Sequence, residues 1–162
     1  MFNGFDVEDL NNDIDMLKQN PTSCQIAQKM TAEWTGGMRS KITAGNKELF
    51  LNGDEEFSSM AATHASLISC VLGTIAMHAT IQGIDLEKIL IESEGQFNIA
   101  RLYTVDNEPG PGFQNFNYTV KIKAKNATPD QLTELLKLSE THSPVVDTLE
   151  KQVPIKLKFE IE

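Results

Sequence analysis

Cys70 is the residue best placed to do chemistry. It sits midway along an apolar run, His64-Ala65-Ser66-Leu67-Ile68-Ser69-Cys70-Val71-Leu72-Gly73-Thr74. A cysteine reacts as its thiolate, and a nearby positive charge is what lowers its pKa. No Lys or Arg lies within a helical turn of Cys70, so an activating cation must come from another element. Arg39, just after Gly36-Gly37, is the candidate; the other arginine is Arg101, ahead of a Pro/Gly-rich loop. Against this stands the ordinary behaviour of both residue types. A free cysteine packs as a small hydrophobe, and an arginine beside a hairpin turn is commonly solvated. Cys24 reads as a half-buried residue at the start of a strand, and no spacing supports a Cys24–Cys70 disulfide.

The remaining polar residues exclude more than they suggest. His64 and His78 are fourteen residues apart on one helix, roughly 21 Å at 1.5 Å per residue, so one metal ion cannot bind both. His142 has only Glu140 at ligand spacing, and no zinc pattern is present. No metal site is expected, nor any cofactor: there is no glycine-rich phosphate loop and no serine-nucleophile elbow. Ser143 follows His142, but adjacency in sequence is not triad geometry. Asp54-Glu55-Glu56 precedes the long apolar run. It reads as a solvated turn that favours a helix N-terminus, or as the source of a carboxylate that orients an arginine.

Helical spacing of Phe5, Val7, Leu10, Ile14 and Leu17 predicts an amphipathic helix over 5–18, packed onto the body and stopped by Asn20-Pro21. Strands follow at 25–34, 39–44 and 48–51, turning at Gly36-Gly37 and Gly45-Asn46. Ser58 or Ser59 caps a long helix over 60–82, apolar nearly all round, that ends at Gly83. A long strand is expected at 86–102 with a bulge at Gly95, then a loop over 107–112. The next strand, 113–125, turns Phe116, Tyr118, Val120, Ile122 and Ala124 to one side and Lys121, Lys123 and Lys125 to solvent. Thr128-Pro129 starts a helix striped by Leu132, Leu135, Leu136 and Leu138. Pro144 breaks it, with one further turn at 145–149. A strand over 154–161 alternates Ile155, Leu157, Phe159 and Ile161. Strand runs at both ends around central helices make the fold class α+β.

At 162 residues one domain is expected, spanning 1–162 with 1–20 as an N-terminal helical extension. Such a chain buries roughly 70% of its unfolded surface and needs no disulfide or metal to hold its core. With 14 basic and 23 acidic residues its net charge is −9, which disfavours nucleic acid and anionic membranes as partners. The N-terminus lacks the basic start and apolar run of an export signal. The apolar stretch 67–79 is too short to span hydrocarbon of roughly 30 Å. The cytoplasm is the expected compartment, with both cysteines as thiols.

Two segments together resemble the OsmC/Ohr superfamily: the Ala-rich helix with a central cysteine, 61–83, and His142-Ser143-Pro144-Val145-Val146-Asp147-Thr148-Leu149 after a helix. In much of that family the second reads Cys-Pro-Val-x-x-Thr-Leu. The resemblance implies an OsmC-like α+β fold with an N-terminal β-meander, a long central helix, C-terminal strands and helix, and an intertwined homodimer. It implies a peroxidatic cysteine at Cys70 and a thiolate-holding arginine at Arg39. The carboxylate falls at Glu55 or Glu56, with Glu56 taken as the candidate. At the place of the resolving cysteine stands Ser143, which cannot close a disulfide, so the chain is similar to an OsmC-like branch lacking that residue. A sulfenic acid on Cys70 then needs an external thiol reductant or Cys24, and Ser143 is left as a hydrogen-bonding neighbour of the sulfur.

Two functions follow as expectations. One is a one-cysteine thiol peroxidase or related redox protein acting on organic hydroperoxides, with Met60, Leu67, Met77 and Phe113 lining a pocket. The other is a non-catalytic protein of the same dimeric fold that binds a small apolar or acyl ligand.

Overall fold

A computed structural model of the chain describes residues 1–105 and 108–161. Its elements are α1 (Val7–Gln19), β1 (Thr31–Gly36), β2 (Arg39–Ala44), β3 (Lys47–Leu51), α2 (Ser59–Ile81), β4 (Leu86–Phe97), β5 (Phe113–Ala124), α3 (Pro129–His142) and α4 (Pro144–Glu150), with short 3-10 turns at Pro21–Cys24 and Ala100–Tyr103. This is the expected α+β class. The strands form two separate antiparallel sheets, β1-β2-β3 and β4-β5.

The core lies where α2 meets the β4-β5 hairpin. Leu67, Val71, Ile75 and Ala79 recur at helical spacing along one face of α2 and are buried together with Ile84 and Leu135. Alternate residues of the hairpin, among them Ile89, Ile91, Phe116, Tyr118, Val120 and Ile122, pack onto them. Burying each large aliphatic contributes about 1.5–3 kcal/mol, so this face supplies most of the drive to fold. α3 and α4 pack on α2 as well, with Leu135 in the same cluster and Leu132, Leu136, Val145 and Val146 against it. α3 starts with a full capping box, Thr128 with Gln131. By length and composition α2 could cross a membrane, yet it is packed here against α3, α4 and β4.

Lys121 and Lys123 of β5 and Lys125 just after it face solvent as expected, and each meets a carboxylate of β4 or its entry: Lys121 with Glu92, Lys123 with Glu87, Lys125 with Asp85. These are exposed pairs, worth little individually, but they face the strand outward.

Several expectations are corrected. Cys24 does not open a strand; Asn20-Pro21 starts a 3-10 turn that ends at Cys24, which is exposed, and pairing begins only at Thr31. β4 stops at Phe97 rather than 102, because 100–103 curl into a 3-10 turn. Gly95 is not bulged but pairs regularly with Phe116; the irregularities fall at 86–88 and 96–97. Its missing side chain has a packing cause: a Cβ there would lie 2.8 Å from the rings of Phe113 and Phe116. Of the loop expected over 107–112, Asn107 lies outside the described residues.

The two ends of the chain differ most from expectation. α1 forms, capped by Asp6, but it buries no residue fully, and its main contact is with the 3-10 turn that follows. What docks is the turn before it. Asn3 donates to the Ile84 carbonyl at 2.8 Å and to Thr80 Oγ1, and accepts from the Leu86 amide at 3.0 Å. Residues 154–161 make no strand. A strand needs a hydrogen-bonding neighbour, and the segment finds none among the described residues. Its apolar alternation stands in solvent, with Ile155 94% and Leu157 85% exposed.

His78, half-buried on α2, meets the ring of His142 edge-on at 5.2 Å. Burial, and secondarily the charge of His142, lowers its pKa below 6.5. A histidine so depressed binds fewer protons folded than unfolded, so stability is complete above its unfolded value and falls as pH drops below it. Thermal unfolding followed from about pH 7.5 to about pH 5 should show this loss, and His78→Phe should flatten the profile.

Candidate functional site

Arg39 and Glu56 are brought together. The Gly36-Gly37 turn, with φ of +113° and +56°, reverses the chain so that Arg39 opens β2. Glu56 lies in the loop between β3 and α2. That loop is held at its ends by Asn52, whose side chain pairs with the amide and hydroxyl of Ser59, and by Ser58, which caps α2 by accepting from the Ala61 amide. Glu56 Oε1 accepts from Arg39 Nε at 3.0 Å and from Nη2 at 2.7 Å, while Oε2 accepts from the Gly53 amide at 2.8 Å. The hydrogen bonds from Arg39 are the main reason that the Glu56 carboxyl is held below its ordinary 4.5. The contribution of the pair to stability is therefore present above that value and lost as pH falls through the folded one. Arg39 also lies over the Phe50 ring at 4.6 Å and reaches Thr35 Oγ1 at 3.4 Å. A cleft of ≈ 590 Å³ opens beside this pair, lined by the Gly36-Gly37 turn and the 52–56 loop.

Sequence reasoning left the choice between Glu55 and Glu56 open, and geometry selects Glu56. It missed Gly53, Thr35 and Phe50. Strand register could have found Phe50: it pairs with Lys41, two residues along the same face from Arg39. No pattern pointed to Gly53, whose role is spatial. A Cβ there would lie 2.6 Å from the Glu56 carboxylate.

Cys70 lies on α2, half-buried and free. The sheet that carries Arg39 lies outside the main core cluster, and the hydrogen bonds of Arg39 among the described residues go to Glu56 and Thr35, not to Cys70. Beside Cys70, Ser66, Ser69 and Gly73 form an exposed stripe of small residues.

Ser143 caps the start of α4 by position, but its side chain makes no cap bond. It is fully buried, and its Oγ has no hydrogen-bond partner, so the expected bond to the Cys70 sulfur is not made. The other buried polar atom without a partner among the described residues is His78 Nε2.

A larger groove, ≈ 860 Å³, runs between the start of α2, β5 and α4. Met60, Leu67 and Phe113 line it as expected; Met77 and Cys70 do not. Its wall is fixed by His64, which meets Ser93 Oγ at 2.7 Å and packs against Phe113 and Phe116. Among the described residues no group of three or more potential metal ligands clusters.

A family model described as OsmC-like protein matches residues 52–158, and the chain belongs to that family. Three solved structures carry the same fold. The crystal structure of an OsmC-like protein from Mycoplasma pneumoniae is 18% identical with a TM-score of 0.66, covering 78% of this chain and 89% of that one. A hypothetical protein from Aquifex aeolicus VF5 is 14% identical with a TM-score of 0.61 and the same coverage. An organic hydroperoxide resistance protein OsmC from Legionella pneumophila is 16% identical with a TM-score of 0.54, covering 76% of this chain and 89% of that one. Comparison with curated proteins gave no match.

Two substitutions probe this geometry. Gly53→Ala is allowed by the backbone but displaces the Glu56 carboxylate. It should leave the fold intact by circular dichroism while removing the Arg39–Glu56 pair, seen as a rise in the Glu56 pKa by NMR. Ser143→Ala removes a buried hydroxyl that has no partner. It should be neutral or stabilise by about 1 kcal/mol, a gain of about 2–4 °C in Tm by calorimetry.

Proposed function

We propose that this chain is a thiol-dependent redox protein in which Cys70 reduces a peroxide and Arg39, set by Glu56, supplies the positive charge. Family membership makes this chemistry the first to test but does not fix it. The observation that carries it is the Arg39–Glu56 pair. A carboxylate grips Nε and Nη2 of the guanidinium on one side, which leaves other N–H donors of Arg39 for a thiolate or a peroxide oxygen. In the reaction the Cys70 thiolate attacks one peroxide oxygen. An S–O bond forms, the O–O bond breaks, and an alcohol leaves after taking a proton. The sulfenic acid condenses with an external thiol, releasing water, and a second thiol frees Cys70 as the reductant ends as a disulfide.

The reading takes two copies, since within one chain the bonds of Arg39 go to Glu56 and Thr35 rather than to the thiol. Three features support a homodimer. The β1–β3 sheet stands outside the main core cluster and, although Leu51 is buried, exposes Trp34 and Leu49. The apolar alternation of 155–161 lacks a neighbour. The Ser66-Ser69-Gly73 stripe would allow close helix approach next to Cys70. An external thiol as reductant suits the cytoplasm, and the acidic surface favours neither nucleic acid nor membrane as partner.

Treating the protein with less than one equivalent of an organic hydroperoxide and then a thiol should oxidise Cys70 selectively and reversibly by mass spectrometry. Arg39→Met should slow that oxidation by roughly tenfold or more. Equal oxidation of the exposed Cys24, or a Cys70 that reacts only after unfolding, would sink the redox reading. A second reading, a binding protein on the same fold, is favoured by the ≈ 860 Å³ groove, of a size common to small-molecule sites and lined without Cys70.

A further inference from the structure

The groove between α2, β5 and α4 has a charge pattern of its own. Its floor is apolar, with Met60, Leu67, Phe116 and Val146, while Glu140 and Glu150 stand on its rim with Tyr118 nearby. No Lys, Arg or His lines it. Elsewhere several carboxylates face a basic partner: Glu48 with Lys41, Glu56 with Arg39, Glu87 with Lys123, Glu92 with Lys121, Asp147 with Lys151. Glu140 and Glu150 have no ion-pair partner among the described residues. Both lie close enough to Tyr118 to push its phenol pKa upward, after the effect of its burial.

We infer that this groove binds an amphiphile whose apolar tail lies on the floor and whose cationic head, an alkylammonium, sits between Glu140, Glu150 and the aromatic face of Tyr118. The inference rests on the second reading above and names its ligand class. Aromatic faces together with carboxylates suit an ammonium group. The same rim repels a carboxylate head, so a simple fatty-acid anion is the wrong ligand. A second copy's residues 155–161 are the rival occupant, and they carry Lys156 and Lys158. In an extended segment, however, those lysines point away from the face that holds Ile155, Leu157 and Phe159. Laying the apolar face on the floor would turn both charges outward.

The test is calorimetric titration of the full-length protein with octyltrimethylammonium and, separately, with octanoate. Wild type is compared with a Glu140→Gln/Glu150→Gln double variant. Both glutamates are exposed, so the variant should keep the wild-type circular dichroism. The proposal expects the ammonium to bind once per chain and at least roughly tenfold more tightly than octanoate, with a comparable loss in the double variant. It also expects the binding to weaken as salt is raised. Octanoate binding as tightly as the ammonium, or a double variant that binds the ammonium unchanged, overturns the ligand class and leaves the groove as a site. If neither amphiphile binds, the groove is closed or occupied in solution, and the ligand reading fails with it.

Discussion

Burial of one face of α2 against the β4-β5 hairpin is the interaction on which everything else is arranged. Leu67, Val71, Ile75 and Ala79 commit that face to the core. Cys70 and the small residues beside it fall outside the committed face by the arithmetic of 3.6 residues per turn. The thiol is thus carried on a rigid rod but kept at the margin of the core. α3 and α4 close over the same cluster, and the β1–β3 sheet stands outside it. That division of labour separates a stable body from a second sheet that stands outside its main core cluster, and it is the second sheet that holds the arginine.

Much of the fold could be read from the chain because its strongest signals are local and periodic. The long helix, the alternation of β5 and the Thr128-Pro129 start each declare themselves within a few residues, and each formed as read. The failures share one cause, which is that pairing and docking are not local. The alternation of 155–161 is as regular as that of β5, yet a strand exists only where a neighbour supplies hydrogen bonds. The stripe of α1 is amphipathic, but among the described residues it is covered only in part, at Leu10 and Ile14. Gly95 looked like a bulge because glycine in a strand often marks one. Its cause is two phenylalanine rings drawn over it by the neighbouring strand.

The site was partly legible in the same sense. Arg39 and Glu56 could be named because a turn and an acidic loop marked their places. Which acidic residue would bind depended on the Gly53 amide and on room for a carboxylate to fold back, and neither has a sequence signature. Ser143 shows the opposite limit. Its place where the resembling family carries a second cysteine implied a role at the sulfur, whereas its hydroxyl is sealed without a partner.

Asn3 makes the N-terminal extension more than an appendage. Its amide serves at once the Ile84 carbonyl, the Thr80 hydroxyl and the Leu86 amide, all at the corner where α2 hands over to β4. The extension therefore works as a keystone for the corner from which the longest hairpin springs. A relative built without it must satisfy the same carbonyl and amide from elsewhere, whether by a differently shaped corner or by ordered solvent. Acquiring or losing this short segment thus involves rebuilding a joint rather than trimming a tail.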